Sequence, residues 1–125
     1  MGFSQRFMRQ ALPTEEAQRF RAFLRRGMEQ YNLNYADVVN VVWTLVTPKP
    51  RTATWVRHQL EPGRPLRREN ARDLTWMIVF CDRACNTKQD LLENGVARWN
   101  TPWDREFNLA ANGEWAWLKT GPGVT

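Results

Sequence analysis

Histidine and cysteine are scarce in this sequence, which has one histidine and two cysteines among its 125 residues. A structural zinc site needs four ligands, and Cys81 and Cys85 are too few for a disulfide scaffold in a chain of this length. His58 is the lone imidazole, no glycine-rich phosphate loop is present, and no nucleophile-and-base pair is visible. We therefore expect no enzyme, no metal and no other cofactor, and we interpret both cysteines as reduced thiols.

Long apolar runs are also missing. No segment approaches the roughly 20 consecutive apolar residues that span a bilayer. The first ten residues lack the apolar centre of a secretory signal. These absences predict a soluble, cytoplasmic protein with no membrane partner.

Acidic residues are outnumbered, with 13 aspartates and glutamates against 18 lysines and arginines, for a net charge of +5. All but three of the basic residues are arginine, whose planar guanidinium suits phosphates and guanine edges. The charge therefore favours an anionic partner, either nucleic acid or an acidic protein surface. The length and the 42% content of hydrophobic residues predict one packed domain.

The middle of the chain has the pattern of two short helices joined by a tight turn. We predict the first over residues 51–60 and the second over residues 67–80, where apolar residues recur at spacings of three and four. Gly63 can supply a positive φ after the first helix, and Pro62 and Pro65 prevent that helix from continuing.

Three further helices are predicted from capping signals and apolar spacing. They cover residues 14–30, which Thr14 can cap, residues 35–46, which Asn34 can cap, and residues 88–99. The fold class is therefore mainly α, a bundle of about five helices. The β-branched residues of the second of these helices also favour a strand, but we expect a buried helix.

Tryptophan is concentrated near the C-terminus. We distinguish an N-terminal arm over residues 1–13, either a short helix or a frayed end, a helical domain over residues 14–99, and an extension over residues 100–125.

The turn signal Asn112-Gly113 predicts that segments of the extension pair as a small β-hairpin. Its tryptophans would form either a dimer or partner contact or a small core within one monomer. The tryptophans concerned are Trp99, Trp103, Trp115 and Trp117.

In this order of helices, residues 20–80 resemble the lambda-repressor-like (Xre-type) helix-turn-helix regulators. Residues 36–43 would be the second helix of that family and residues 51–60 the recognition helix. The run Leu60-Glu61-Pro62-Gly63-Arg64-Pro65 is similar to the family's end of the recognition helix and the turn after it. The connection between the two helices is longer here than in the family and contains Pro48 and Pro50.

The resemblance implies a sequence-specific, double-stranded DNA-binding transcriptional regulator. It would be a repressor or autoregulator, such as a phage or other mobile element carries, acting as a homodimer on two half-sites. The recognition helix would lie in the major groove, and basic residues after it would contact the DNA backbone. The DNA-binding residues would be Lys49, Arg51, Thr52, Thr54, Trp55, Arg57, His58, Arg64, Arg67 and Arg68.

A second function fits the same composition. The chain would then be a small basic protein-binding module or inhibitor that docks on an acidic or nucleic-acid-binding face of a partner protein. Its tryptophan-rich extension favours this alternative, because aromatic residues are typical anchors of protein interfaces.

Overall fold

The computed structural model describes residues 3–40, 51–82 and 105–120. These ranges contain six α-helices and one 3-10 helix and no β-strand, which confirms the mainly α fold class. The elements are α1 (Gln5–Arg9), α2 (Thr14–Gln30), α3 (Tyr35–Asn40), α4 (Ala53–Leu60), α5 (Arg68–Asp82), α6 (Arg105–Ala111) and the 3-10 helix (Ala116–Thr120). The rest of the predicted helix 35–46 and the predicted helix 88–99 lie outside the described residues.

Helix α2 has the predicted bounds but a different cap. Thr14 is its first helical residue, and Pro13 takes the cap position without a side-chain hydrogen bond. The expected cap is wrong because the Pro13 carbonyl already accepts the bond from the Ala17 N–H, at 2.8 Å. At the other end Asn32 adopts the left-handed conformation, with φ 53°.

The next two helices, α3 and α4, each begin with a side-chain cap, which is reciprocal in α3 and single in α4. The Asn34 side-chain oxygen accepts from the Asp37 N–H, and the Asp37 carboxylate accepts from the Asn34 N–H, both at 2.8 Å. This is a capping box, and it confirms Asn34 as the cap of α3. Thr52 caps α4 by accepting from the Trp55 N–H at 3.0 Å. Both caps use backbone N–H groups that have no partner inside the helix.

The core lies where α2, α4 and α5 meet. Helix α4 contributes Val56 and Leu60, as expected from their spacing. Helix α5 presents a stripe that includes Ala71, Leu74 and Ile78, all fully buried. The predicted stripe is thereby confirmed up to Ile78; the side chain of Cys81, its next member, and all of Cys85 lie outside what the structure describes.

The N-terminal arm is attached to the rest of the molecule over the part that the structure describes. The side chains of Met8 and Leu12 are buried. The Leu12 N–H donates to the Leu66 carbonyl at 2.8 Å, and the Arg68 N–H donates to the Gln10 carbonyl at 3.1 Å. From residue 3 onward the arm therefore contains a short helix docked beside the turn after α4, and it is not a frayed end.

The predicted β-hairpin is wrong, because the segments before and after Asn112-Gly113 form α6 and the 3-10 helix instead of two strands. Phe107, Ala110 and Ala111 are spaced three and four apart, and all three are buried on one face of α6. The Gly113 N–H donates to the Ala110 carbonyl at 3.0 Å, so the Asn112-Gly113 signal ends a helix instead of joining two strands.

Candidate nucleic-acid interface

Helix α4 has one face in the core and one face in solvent. It packs against α2, α3 and α5. Val56 and Leu60 are fully buried, whereas Thr54 and Arg57 are exposed. Helix α4 therefore has an exposed outer face, and Thr54 and Arg57 belong to it.

Arg51 and Trp55 contribute less to this face than the sequence suggested. The Arg51 side chain is only 15% exposed, and a terminal nitrogen lies 3.6 Å from the Asp73 carboxylate. Its guanidinium carbon lies 4.4 Å from the centre of the Trp55 ring, and that ring packs against the core. Arg51 therefore supports the start of α4 from the inner side, and most of its side chain is not exposed to solvent.

Asp73 is a buried carboxylate beside two arginines. It forms an ion pair with Arg51 and accepts a hydrogen bond from the Arg72 Nε at 3.2 Å. Burial raises the pKa of Asp73, and the charges of Arg72 and Arg51 oppose that rise only in part. Arg72 also donates to the Thr120 hydroxyl at 3.2 Å, so this group of charges connects the start of α4 to the 3-10 helix.

The end of α4 is held by arginines of α2. The Arg21 Nε donates to the Gln59 carbonyl at 2.8 Å, and a terminal nitrogen of Arg21 donates to the Arg64 carbonyl at 2.7 Å. Arg25 donates to the Leu60 carbonyl at 3.0 Å. Carbonyls in the last turn of a helix have no partner within it, and a cation at that end is favourable.

Basic side chains continue past the turn after α4. Gly63 has the predicted positive φ, 84°, in the turn that follows Leu60, the last residue of α4, and its cap Glu61. Arg64 and Arg67 are exposed, although Arg64 also forms an ion pair with Glu61. Arg68 is half-buried, and its guanidinium carbon lies 4.3 Å from the centre of the Phe7 ring.

The predicted DNA-binding residues thus fall into three groups. Those exposed on or beside α4 are Thr52, Thr54, Arg57, Arg64 and Arg67. Those partly buried are Arg51, Trp55, His58 and Arg68. Lys49 lies outside the described residues. Sequence reasoning missed Arg21, Arg25 and Asp73, because each acts through a contact with a segment far away in the chain.

Trp115 and Trp117 lie in the core of the same chain. The Trp115 ring centre is 4.9 Å from that of Phe20 and 5.7 Å from that of Phe23, and the Trp117 ring stacks on Phe20 at 5.9 Å. Both tryptophans are almost completely buried. This packing corresponds to the monomer-core alternative for these two residues. Trp99 and Trp103 lie outside the described residues.

Two kinds of site are absent from the described part of the chain. No group of three or more histidine, cysteine, aspartate or glutamate side chains there is placed to hold a metal ion. Within the same ranges, no helix has both the length and the apolar content needed to cross a membrane.

No protein-family model matches the chain, and no curated protein or solved structure matches it either.

Proposed function

We propose that the chain is a sequence-specific, double-stranded DNA-binding regulator whose recognition helix is α4. The observation that carries this proposal is that α4 has one buried apolar face and one exposed polar face. Val56 and Leu60 anchor it, Thr54 and Arg57 face solvent, and Gly63 turns the chain away from its end. A recognition helix needs an anchored inner face and an accessible polar outer face.

The size of α4 suits a DNA groove. Its eight residues give a length of about 12 Å at the usual rise per residue. The major groove of B-DNA is about 12 Å wide and admits the diameter of an α-helix, which with its side chains is about 10–12 Å. A helix of this length can place its exposed residues on a few neighbouring base pairs.

The exposed residues divide into two roles by their chemistry and position. Arg57 can donate two hydrogen bonds to one guanine, and Thr54 can contact a thymine methyl group or a phosphate. Arg64 and Arg67 lie after the helix and would contact phosphates, which position the protein without reading sequence. Arg51 and Trp55 have a supporting role in this proposal, because their side chains pack against Asp73 and the core.

A single module of this size binds weakly, so the proposal includes a homodimer on two half-sites. Trp115 and Trp117 do not supply its contact, because they are buried within one chain. Repression or autoregulation by occupying an operator would require no further domain.

The salt dependence of binding tests this proposal against the protein-binding alternative. A DNA-binding chain should bind unrelated duplex DNA with an affinity that falls steeply with salt, by a logarithmic slope of about 0.9 for each phosphate contact. Arg67→Ala should reduce the magnitude of that slope by about 0.9, the contribution of one phosphate contact. Arg105→Ala removes the same charge from an exposed position on α6 and should leave the slope unchanged.

The opposite result would favour a protein partner. If the native chain scarcely binds duplex DNA even at low salt, its basic surface does not bind phosphates. The DNA-binding proposal would then be abandoned, and capture of an acidic partner would become the next experiment.

A further inference from the structure

Arg21 is the most deeply buried arginine whose exposure the structure gives, with 5% of its surface exposed. It lies on the inner side of α2, whereas its neighbours Arg19 and Arg25 are classed as exposed. A buried guanidinium is costly unless its donors are satisfied. The position of its hydrogen-bond acceptors therefore shows what this residue stabilises.

Both acceptors belong to the end of α4 and the turn after it. The Gln59 carbonyl is in the last turn of the helix, and the Arg64 carbonyl lies just beyond Gly63. One rigid guanidinium thus bridges the two sides of the turn. Arginine suits this task because its donors form a planar fork, whereas a lysine ammonium is a compact point charge.

We infer that Arg21 is a positioning residue that sets the orientation of α4 on the body of the protein. The inference rests on the proposed function, in which the orientation of α4 decides how its outer face meets DNA. Arg25 adds one bond to the Leu60 carbonyl at the same helix end. Val56 and Leu60 fix which face of α4 is buried, and Arg21 fixes the direction in which the helix end leaves the core.

Site-specific hydrogen exchange of the backbone amides tests the positioning role without DNA. In Arg21→Met, amides in the second half of α4 and in the following turn should lose protection by roughly 10-fold or more, the effect of losing one to two hydrogen bonds. Amides in α2 and α5 should change much less. Arg26→Met makes the same substitution at an exposed position of α2 and should leave α4 unchanged.

DNA affinity gives the second measurement, made well below the unfolding temperature so that every variant is folded. Arg21→Met should weaken binding to a selected DNA site by about 10-fold or more, because a tilted helix loses base contacts, and should barely alter binding to unrelated DNA. Arg21→Lys keeps the charge and should show a smaller loss of both protection and affinity. It also provides a test if the methionine variant fails to fold.

Each outcome decides a separate point. An equal loss of protection in all helices overturns the positioning role and makes Arg21 a general contributor to stability. No loss in any helix also overturns the positioning role. A local loss in α4 with unchanged affinity for the selected site overturns its importance for recognition. If the native chain selects no DNA site, the proposed function fails, while hydrogen exchange still decides whether Arg21 orients α4.

Discussion

At the residue scale, the molecule uses arginine for internal support as well as for surface charge. Arg21 and Arg25 donate to carbonyls at the end of α4, and Arg51 and Arg72 surround the buried Asp73. A count of basic residues therefore overstates the charge available to an anionic partner. The exposed arginines on or after α4 are Arg57, Arg64 and Arg67, and the DNA-binding proposal depends on them.

Asp73 gives a prediction about pH. Because burial raises its pKa above the ordinary 3.8, protonation of Asp73 favours the folded state. That contribution is complete below the ordinary pKa and is lost as pH rises through the raised one. Asp73→Asn lacks this titration. Its free energy of unfolding relative to the native chain should therefore increase between about pH 3 and about pH 7.

Urea unfolding of both chains at the two pH values measures this difference, whatever the stability of the variant at the acidic end. A relative stability that falls over the same interval would mean that the two arginines outweigh burial. The pKa of Asp73 would then be lowered in the folded protein.

At the element scale, local signals predicted several helix ends correctly. Asn34 caps α3, and Gly63 adopts the positive φ expected in the turn after α4, because each depends on backbone groups a few residues away, which a sequence shows directly. The extension was harder to predict. Asn112-Gly113 is a strong hairpin signal, yet the spacing of Phe107, Ala110 and Ala111 was the better guide to α6.

Gly63 gives the prediction at this scale. With φ 84°, its conformation is costly for a residue with a Cβ, although a Cβ there would meet no atom within 4 Å. Gly63→Ala should therefore lower the free energy of unfolding by roughly 1–2 kcal/mol through backbone strain alone. Gly113→Ala is the matched control, because its Cβ would lie 3.5 Å from the Leu109 carbonyl, an ordinary contact.

Chemical denaturation of both glycine variants tests this reasoning. Equal effects at the two positions would show that the conformation of Gly63 does not determine the turn.

At the scale of the whole molecule, the described part of the tryptophan-rich extension belongs to the same core as α2 and α5. Trp115 packs on Phe20 and Phe23 of α2, and the Trp76 Nε1 of α5 donates to the Leu118 carbonyl at 2.7 Å. The sequence left two alternatives for these tryptophans because aromatic content is similar in cores and interfaces. Only the long-range contacts distinguish them, and spacing does not encode such contacts.

The core role of Trp115 predicts a large effect on stability. Trp115→Ala should lower the free energy of unfolding by about 3–5 kcal/mol, the usual cost of removing a buried aromatic side chain. Leu109→Ala removes another large apolar side chain from the extension, but one that is 65% exposed. It should change stability by no more than about 0.5 kcal/mol.

Denaturant unfolding combined with sedimentation separates the two roles of Trp115. If Trp115→Ala left the unfolding of the monomer unchanged and altered only the oligomeric state, the monomer core described here would be incorrect.

An unbiased selection of duplex DNA by the purified protein, near physiological salt, tests the central claim that α4 reads DNA. It would be run with the native chain, with Arg57→Ala and with Arg105→Ala as the control of equal charge. The native chain and the control should enrich a two-fold symmetric site, and Arg57→Ala should no longer enrich it. No enrichment by the native chain, or the same site enriched by all three proteins, would contradict that claim.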